Sequence, residues 1–268
     1  MRVSSIAWAF NDAVIPLERI KRFLRETDEK ICDEVRPTAH GLAMITPSLP
    51  LVWQLNAMRV DDPDADAAEL VADADALLGQ LSHRKLVTQD EALGARLTRA
   101  LAVEGWNAFR LLVMVKRRPP ERPVEPGLGA EVSRERGAQM LAAFRREQPF
   151  GWQAEAIRQL AAMDERYGQV LSARDFAAPP DGPGCSCRLY TNGALAQIDE
   201  VGTVEARRDR GYARAAVLAA VDAAAAEALE PIFLLTDAAD WPQALYRRLG
   251  FDEIGAVYEF LKLPVQSG

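Results

Sequence analysis

The chain has 268 residues, 49% of them hydrophobic and 26% charged, with a formal net charge of -7. That length is ample for two cores of about 100–150 residues each. An acidic balance without a basic stripe argues against nucleic acid as the main partner, while suiting a cationic substrate such as an amine.

The opening segment, 1–11, lacks the basic start and long apolar run of a secretory signal. Residues 49–55 are predicted as a strand. Residues 64–78 read as a helix, with Leu70, Ala74, Leu77 and Leu78 near one face. A short strand is expected at 86–88. A second helix spans 90–104, with Leu93, Leu97, Ala100 and Leu101 at helical spacing and Gly105 as its stop. Residues 109–115 form an apolar run of strand length. Trp53, Trp106 and Phe109 are expected in the core. Strand, helix, strand, helix, strand suggests an α/β unit.

Residues 117–129 read RRPPERPVEPGLG. Proline fixes φ and removes backbone donors, so neither a helix nor a central strand continues through this segment. It divides the chain into two expected domains, 1–125 and 126–268.

Beyond it, 133–146 and 153–167 are predicted helices, separated by Pro149 and Gly151. Strands at 187–190 and 195–203 are joined by Thr191-Asn192-Gly193, and Asn-Gly is a strong hairpin signal. A long Ala-rich helix at 211–228 precedes a buried-type strand at 232–236. A short helix at 241–249 stops at Gly250, and strands at 251–254 and 257–263 close the chain. The Ala-rich run is broken by Asp222 and Glu227, and no segment approaches the roughly 20 apolar residues of a membrane span. No membrane partner and a cytoplasmic location are expected.

Cys32, Cys185 and Cys187 include one C-x-C pair, too sparse for zinc, and His40 and His83 each stand alone. No metal is expected, and an odd cysteine count suits a reducing compartment.

The chemistry concentrates at 201–214. A strand containing Val201, Gly202 and Thr203 runs into a loop with Arg208, Asp209, Arg210 and Gly211, which opens a helix at Tyr212, Ala213 and Arg214. A loop at a helix N-terminus presents unpaired N–H groups and the positive end of the helix dipole, which suits a pyrophosphate. Gly211 allows close backbone approach, and Arg208, Arg210 and Arg214 add positive charge.

Arg208-Asp209-Arg210-Gly211-Tyr212-Ala213 resembles the Q/R-x-x-G-x-G/A signature of the GNAT superfamily of N-acetyltransferases. Downstream, Ala244-Leu245-Tyr246-Arg247-Arg248-Leu249-Gly250-Phe251 is similar to that family's A-L-Y-x-x-L-G-F segment. The two motifs stand in the family's order, with strand 232–236 between them, and the resemblance covers roughly 131–263. There are two departures: Asp209 stands where the family often has glycine, and Asp240 stands near a common asparagine.

The resemblance implies an α/β fold with a mixed sheet: a GNAT-like C-terminal domain, preceded by a second, degenerate GNAT-like α/β domain without a phosphate loop. It implies acetyl-CoA bound by Val201, Gly202, Thr203, residues 208–214 and Asp240. The acceptor is a primary amine of a small molecule or protein, and a homodimer is compatible with it. The alternative is a non-catalytic acyl-CoA-binding regulatory module. Transfer needs a base for the amine and an acid for the thiolate. The motif match puts Tyr246 at the acid's position. For the base, Asp199 is preferred and Glu200 is second. Strict strand alternation would place Asp199 with Gln197, Val201 and Thr203, and Glu200 on the opposite face with Ile198 and Gly202.

Overall fold

The structure, a computed structural model, describes residues 14–263. The first half consists of α1 (Val14–Ile31), β1 (Glu34–Thr38), β2 (Gly41–Ile45), β3 (Ala57–Val60), α2 (Ala67–Leu78), β4 (Arg84–Thr88), α3 (Glu91–Ala102) and β5 (Asn107–Lys116). The second consists of β6 (Ala130–Val132), α4 (Arg134–Arg146), α5 (Ala154–Val170), β7 (Ser172–Ala178), β8 (Cys185–Thr191), β9 (Ala196–Thr203), α6 (Tyr212–Ala226), β10 (Ile232–Asp237), α7 (Pro242–Arg248) and β11 (Phe251–Lys262). Residues 117–129 hold no helix or strand between them.

Local chemistry sets the boundaries. Asp66, Asp90 and Ser133 cap α2, α3 and α4 by accepting hydrogen bonds from first-turn N–H groups. At the β8–β9 hairpin, Asn192 Oδ1 accepts from Ala194 and Leu195 N at 3.1 and 3.3 Å, and Gly193 takes φ 87°.

The eleven strands of the described residues form one mixed sheet, in the order β1-β2-β3-β4-β11-β5-β10-β9-β8-β7-β6. The last strand of each half crosses into the other: β5 pairs with β10, β11 pairs with β4, and the two pair antiparallel at the centre. Both halves run three successively antiparallel strands, a helix, a strand parallel to the third, a helix and a closing strand. Side chains alternate across the sheet. Leu112 and Met114 of β5 join the core under α6, while Val113 and Val115 join Ile20 and Phe23 of α1. The Ala-rich face of α6 lets it lie close on the sheet, with Ala216, Val217, Ala220 and Ala224 fully buried.

Three expectations need correction. Residues 49–55 are not a strand but a turn ending in a 3-10 turn, Trp53–Leu55. Buried Asn56 holds that shape: its Nδ2 donates to Leu49 O and Val52 O at 3.0 and 2.9 Å, and its Oδ1 accepts from Thr46 N at 2.8 Å. Trp53 is consequently 38% exposed, whereas Trp106 is buried. Finally, 251–262 is one strand, with a register shift between Glu253 and Gly255, rather than two.

Candidate active site

The site begins where two parallel strands part. β9 and β10 are paired only at Ala196–Ile232 and Gln197–Phe233. From Ile198 onward the inner edge of β9 has left β10. On its other edge β9 is bulged: the register passes from Asp199–Arg188 to Gly202–Ser186, so Glu200 and Val201 together oppose Cys187. Glu200 takes the left-handed φ of 53°.

This bulge breaks the expected alternation. Glu200 does not point away from the side that Asp199 faces; Arg145 of α4 and Asp164 of α5 act on both carboxylates. Val201 packs against the core beneath α6. Gly202 faces α4, where a Cβ would lie 2.4 Å from Phe144 Cδ1. Gly202 is therefore a close-packing position and lines neither of the two cavities described below, unlike the other expected site residues.

Arg145 holds Glu200, and neutral donors of β9 itself hold Asp199. Arg145 Nη1 and Nη2 donate to Asp164 at 2.8 and 3.0 Å, and Nη2 also donates to Glu200 Oε1 at 2.8 Å. Arg188, fully buried, donates to Asp175 at 2.7 Å and lies 3.6 Å from Asp164. Asp199 accepts from Glu200 N at 2.8 Å and from Gln197 Nε2 at 3.1 Å. Burial raises the Asp199 carboxyl above its ordinary range, against the hydrogen bond from Glu200 N. Burial likewise raises Glu200 to about 7, with Arg145 pulling it down and Asp199 pushing it up. Glu200 still keeps 24% of its side-chain surface exposed, so its tip reaches open space.

That space is a cavity of about 260 Å³, lined by Asp199, Glu200, Val201, Ile198, Leu235, Phe144 and Tyr246. Tyr246 is buried on α7, edge-on to Phe251 at 6.1 Å, and burial pushes its hydroxyl above the usual tyrosine range.

Phe144, Val201 and Tyr246 also border a larger cavity of about 1060 Å³. Its walls are Thr203, residues 207–214, the end of α4, the α7 region and two residues of the 117–129 segment. Arg208, Asp209, Arg210, Gly211, Tyr212, Ala213, Arg214 and Asp240 all lie on it. Asp209 adopts the left-handed φ of 60°, next but one to Gly211 at 75°.

The donor set suits an anion. Helix α6 opens on Gly211 with no side-chain cap, in contrast to α2, α3 and α4. Its first-turn N–H groups are left to an incoming acceptor. Arg214 Nε is buried with no hydrogen-bond partner among the described residues, and its guanidinium lies beside Gly211. Six arginines (Arg122, Arg207, Arg208, Arg210, Arg214 and Arg248) meet three acids (Glu121, Asp209 and Asp240) around the cavity, although the whole chain carries -7. Sequence reading missed Arg122, Arg207, Arg248, Trp241 and Phe144. The first lies in a segment read only as a divider, and Phe144 reads as an ordinary apolar helix position. The volume lies just above the range of about 300–1,000 Å³ usual for pockets of drug-sized ligands.

Residues 139–251 match the model of the Acetyltransferase (GNAT) family. That match supports a GNAT-superfamily module spanning both motifs. No curated protein matches the chain. Among solved structures, a conserved protein of unknown function from Staphylococcus epidermidis ATCC 12228 is similar, with TM-score 0.64 and 15% identity over 87% of this chain and 95% of that one. A GCN5-related N-acetyltransferase from Kribbella flavida has TM-score 0.57 and 17% identity over 92% and 96%. A tandem GNAT protein from the clavulanic acid biosynthesis pathway has TM-score 0.51 and 16% identity over 78% and 76%. These likenesses extend a shared fold across both halves.

Proposed function

We propose that this protein is an acyl-CoA-dependent N-acyltransferase, carrying an acetyl group from acetyl-CoA to a primary amine of a small molecule or protein. The observation that carries the reading is a pair of cavities sharing Phe144, Val201 and Tyr246 as walls: an uncapped, arginine-flanked helix N-terminus borders the larger, and Tyr246 with two carboxylates lines the smaller.

The N–H groups opening α6, with Arg214 and the arginines at 208 and 210, would hold the pyrophosphate. When bound, acetyl-CoA supplies a thioester carbonyl to be attacked. The amine must arrive neutral, and the Asp199–Glu200 pair takes its proton; Glu200, raised to about 7, retains enough basicity to do so near neutral pH. The inner edge of β9, released from β10 after Gln197, offers backbone N–H groups to the carbonyl oxygen. The new N–C bond forms as the C–S bond breaks, and Tyr246 hands its proton to the departing sulfur.

The first half, 1–125, belongs to the same proposal as a degenerate GNAT-like domain before the catalytic one, 126–268. Its loop between β3 and α2 carries Asp61, Asp62, Asp64 and Asp66 where the second half carries arginines. Asp66 already occupies N–H groups at the start of α2. A phosphate there would meet negative charge and satisfied donors.

Thiol release from acetyl-CoA across a panel of primary amines tests the reading. Amine-dependent release supports transfer. Tight acetyl-CoA binding without release by any amine would favour a non-catalytic binding module instead.

A further inference from the structure

The proline-rich segment 117–129 is a fastened strap. Arg118 N donates to Gly250 O at 3.0 Å, and Glu121 N donates to Arg248 O at 2.9 Å. Arg118 also pairs with Asp252 at 2.8 Å. Gly250, at φ 87°, leaves no room for a side chain, since a Cβ there would lie 1.9 Å from Arg118 O. Val124 and Leu128 then pack against the core beneath α6. The strap thus passes from the α7–β11 corner toward α6. Between those fastenings, Glu121 and Arg122 line the large cavity.

Arg118 is engaged by Asp252, but Arg122 and Arg248 have no ion-pair partner among the described residues. Both face the cavity from the strap and the end of α7, not from the 207–214 loop. Coenzyme A carries two separate anionic groups, a pyrophosphate and a ribose 3′-phosphate. The α6 N-terminus accounts for the first, which leaves two free guanidinium groups on a different wall for the second.

We propose that the strap is a donor-binding element, in which Arg122, with Arg248 beside it, holds the 3′-phosphate and selects coenzyme A over its 3′-dephospho form. This inference rests on the acyl-CoA reading above. Guanidinium–phosphate pairs are charge-assisted and often bidentate, so loss of one at a half-open site corresponds to about tenfold in affinity.

The test is calorimetric titration of wild type, Arg122→Ala and Arg248→Ala with coenzyme A and with 3′-dephospho-coenzyme A, at fixed ionic strength. Wild type is expected to prefer coenzyme A. Arg122→Ala should weaken coenzyme A binding about tenfold while leaving the dephospho form nearly unchanged, and Arg248→Ala should act in the same direction. The Arg122 side chain is exposed, so its melting temperature should not move. Should Arg122→Ala misfold, Arg248→Ala carries the test alone. If wild type binds both probes equally, or the variants weaken both alike, the strap proposal fails while the acyl-CoA site stands. If wild type binds neither probe, both fail together.

Discussion

Replacing Glu200 by glutamine should flatten the pH dependence of stability and remove activity in the same pH range. The ordinary glutamate value is 4.5, and burial in the bulge raises Glu200 to about 7. Between those values the folded protein keeps a proton that the unfolded chain has released. Folding is then favoured at low pH, and that advantage is lost as pH rises toward 7. At about 1.36 kcal/mol per tenfold change in proton affinity, the gap corresponds to roughly 3 kcal/mol. Asp199 is raised too and adds in the same direction. Urea unfolding of wild type from pH 5 to pH 8 should therefore show stability falling by a few kcal/mol from this pair. Glu200→Gln should lose most of that slope, because glutamine does not titrate and can still accept from Arg145. If Glu200 is the base, wild-type kcat/KM should climb over the same interval as its carboxylate forms, and the variant should lack that limb. Parallel stability curves for the two proteins would refute the burial argument. A full activity limb in the variant would move the base to Asp199.

Tyr246→Phe should lower kcat by about 10²- to 10⁴-fold with acetyl-CoA affinity retained, because the ring still packs against Phe251; steady-state kinetics alongside calorimetry checks both. Gly202→Val should destabilise by about 1–3 kcal/mol through overpacking, since its first side-chain atom already meets Phe144 at 2.4 Å. Denaturant unfolding reads that loss. The displaced Phe144 should also disturb both cavities that it borders.

The sequence makes the 208–214 loop legible as a cavity wall because its motif is local: Arg208, Gly211 and Ala213 sit within one strand–loop–helix turn. The short helix that brings Tyr246 to the cavities is legible for the same reason. The face of Glu200 is not, because alternation assumes a regular strand and the bulge opposite Cys187 inserts one extra residue. The role of 117–129 is hidden in another way. Proline content tells where helix and strand stop, but not that the segment is fastened to Gly250 and Arg248. The shared sheet is also invisible locally, since β5 and β11 have patterns that would fit a partner in either half. Residues 49–55 have a strand's composition, and only Asn56 bonding back to Leu49 and Val52 turns them aside.

The most direct test of the central claim is calorimetric titration of acetyl-CoA into wild type and Gly211→Val. Gly211 sits at φ 75°, where a β-branched residue is strained, and its added Cβ would lie 3.3 Å from Arg214 Nη2. Wild type should bind one acetyl-CoA per chain, and the folded variant should bind it at least about tenfold more weakly. No binding by wild type, or undiminished affinity in the folded variant, would contradict the account.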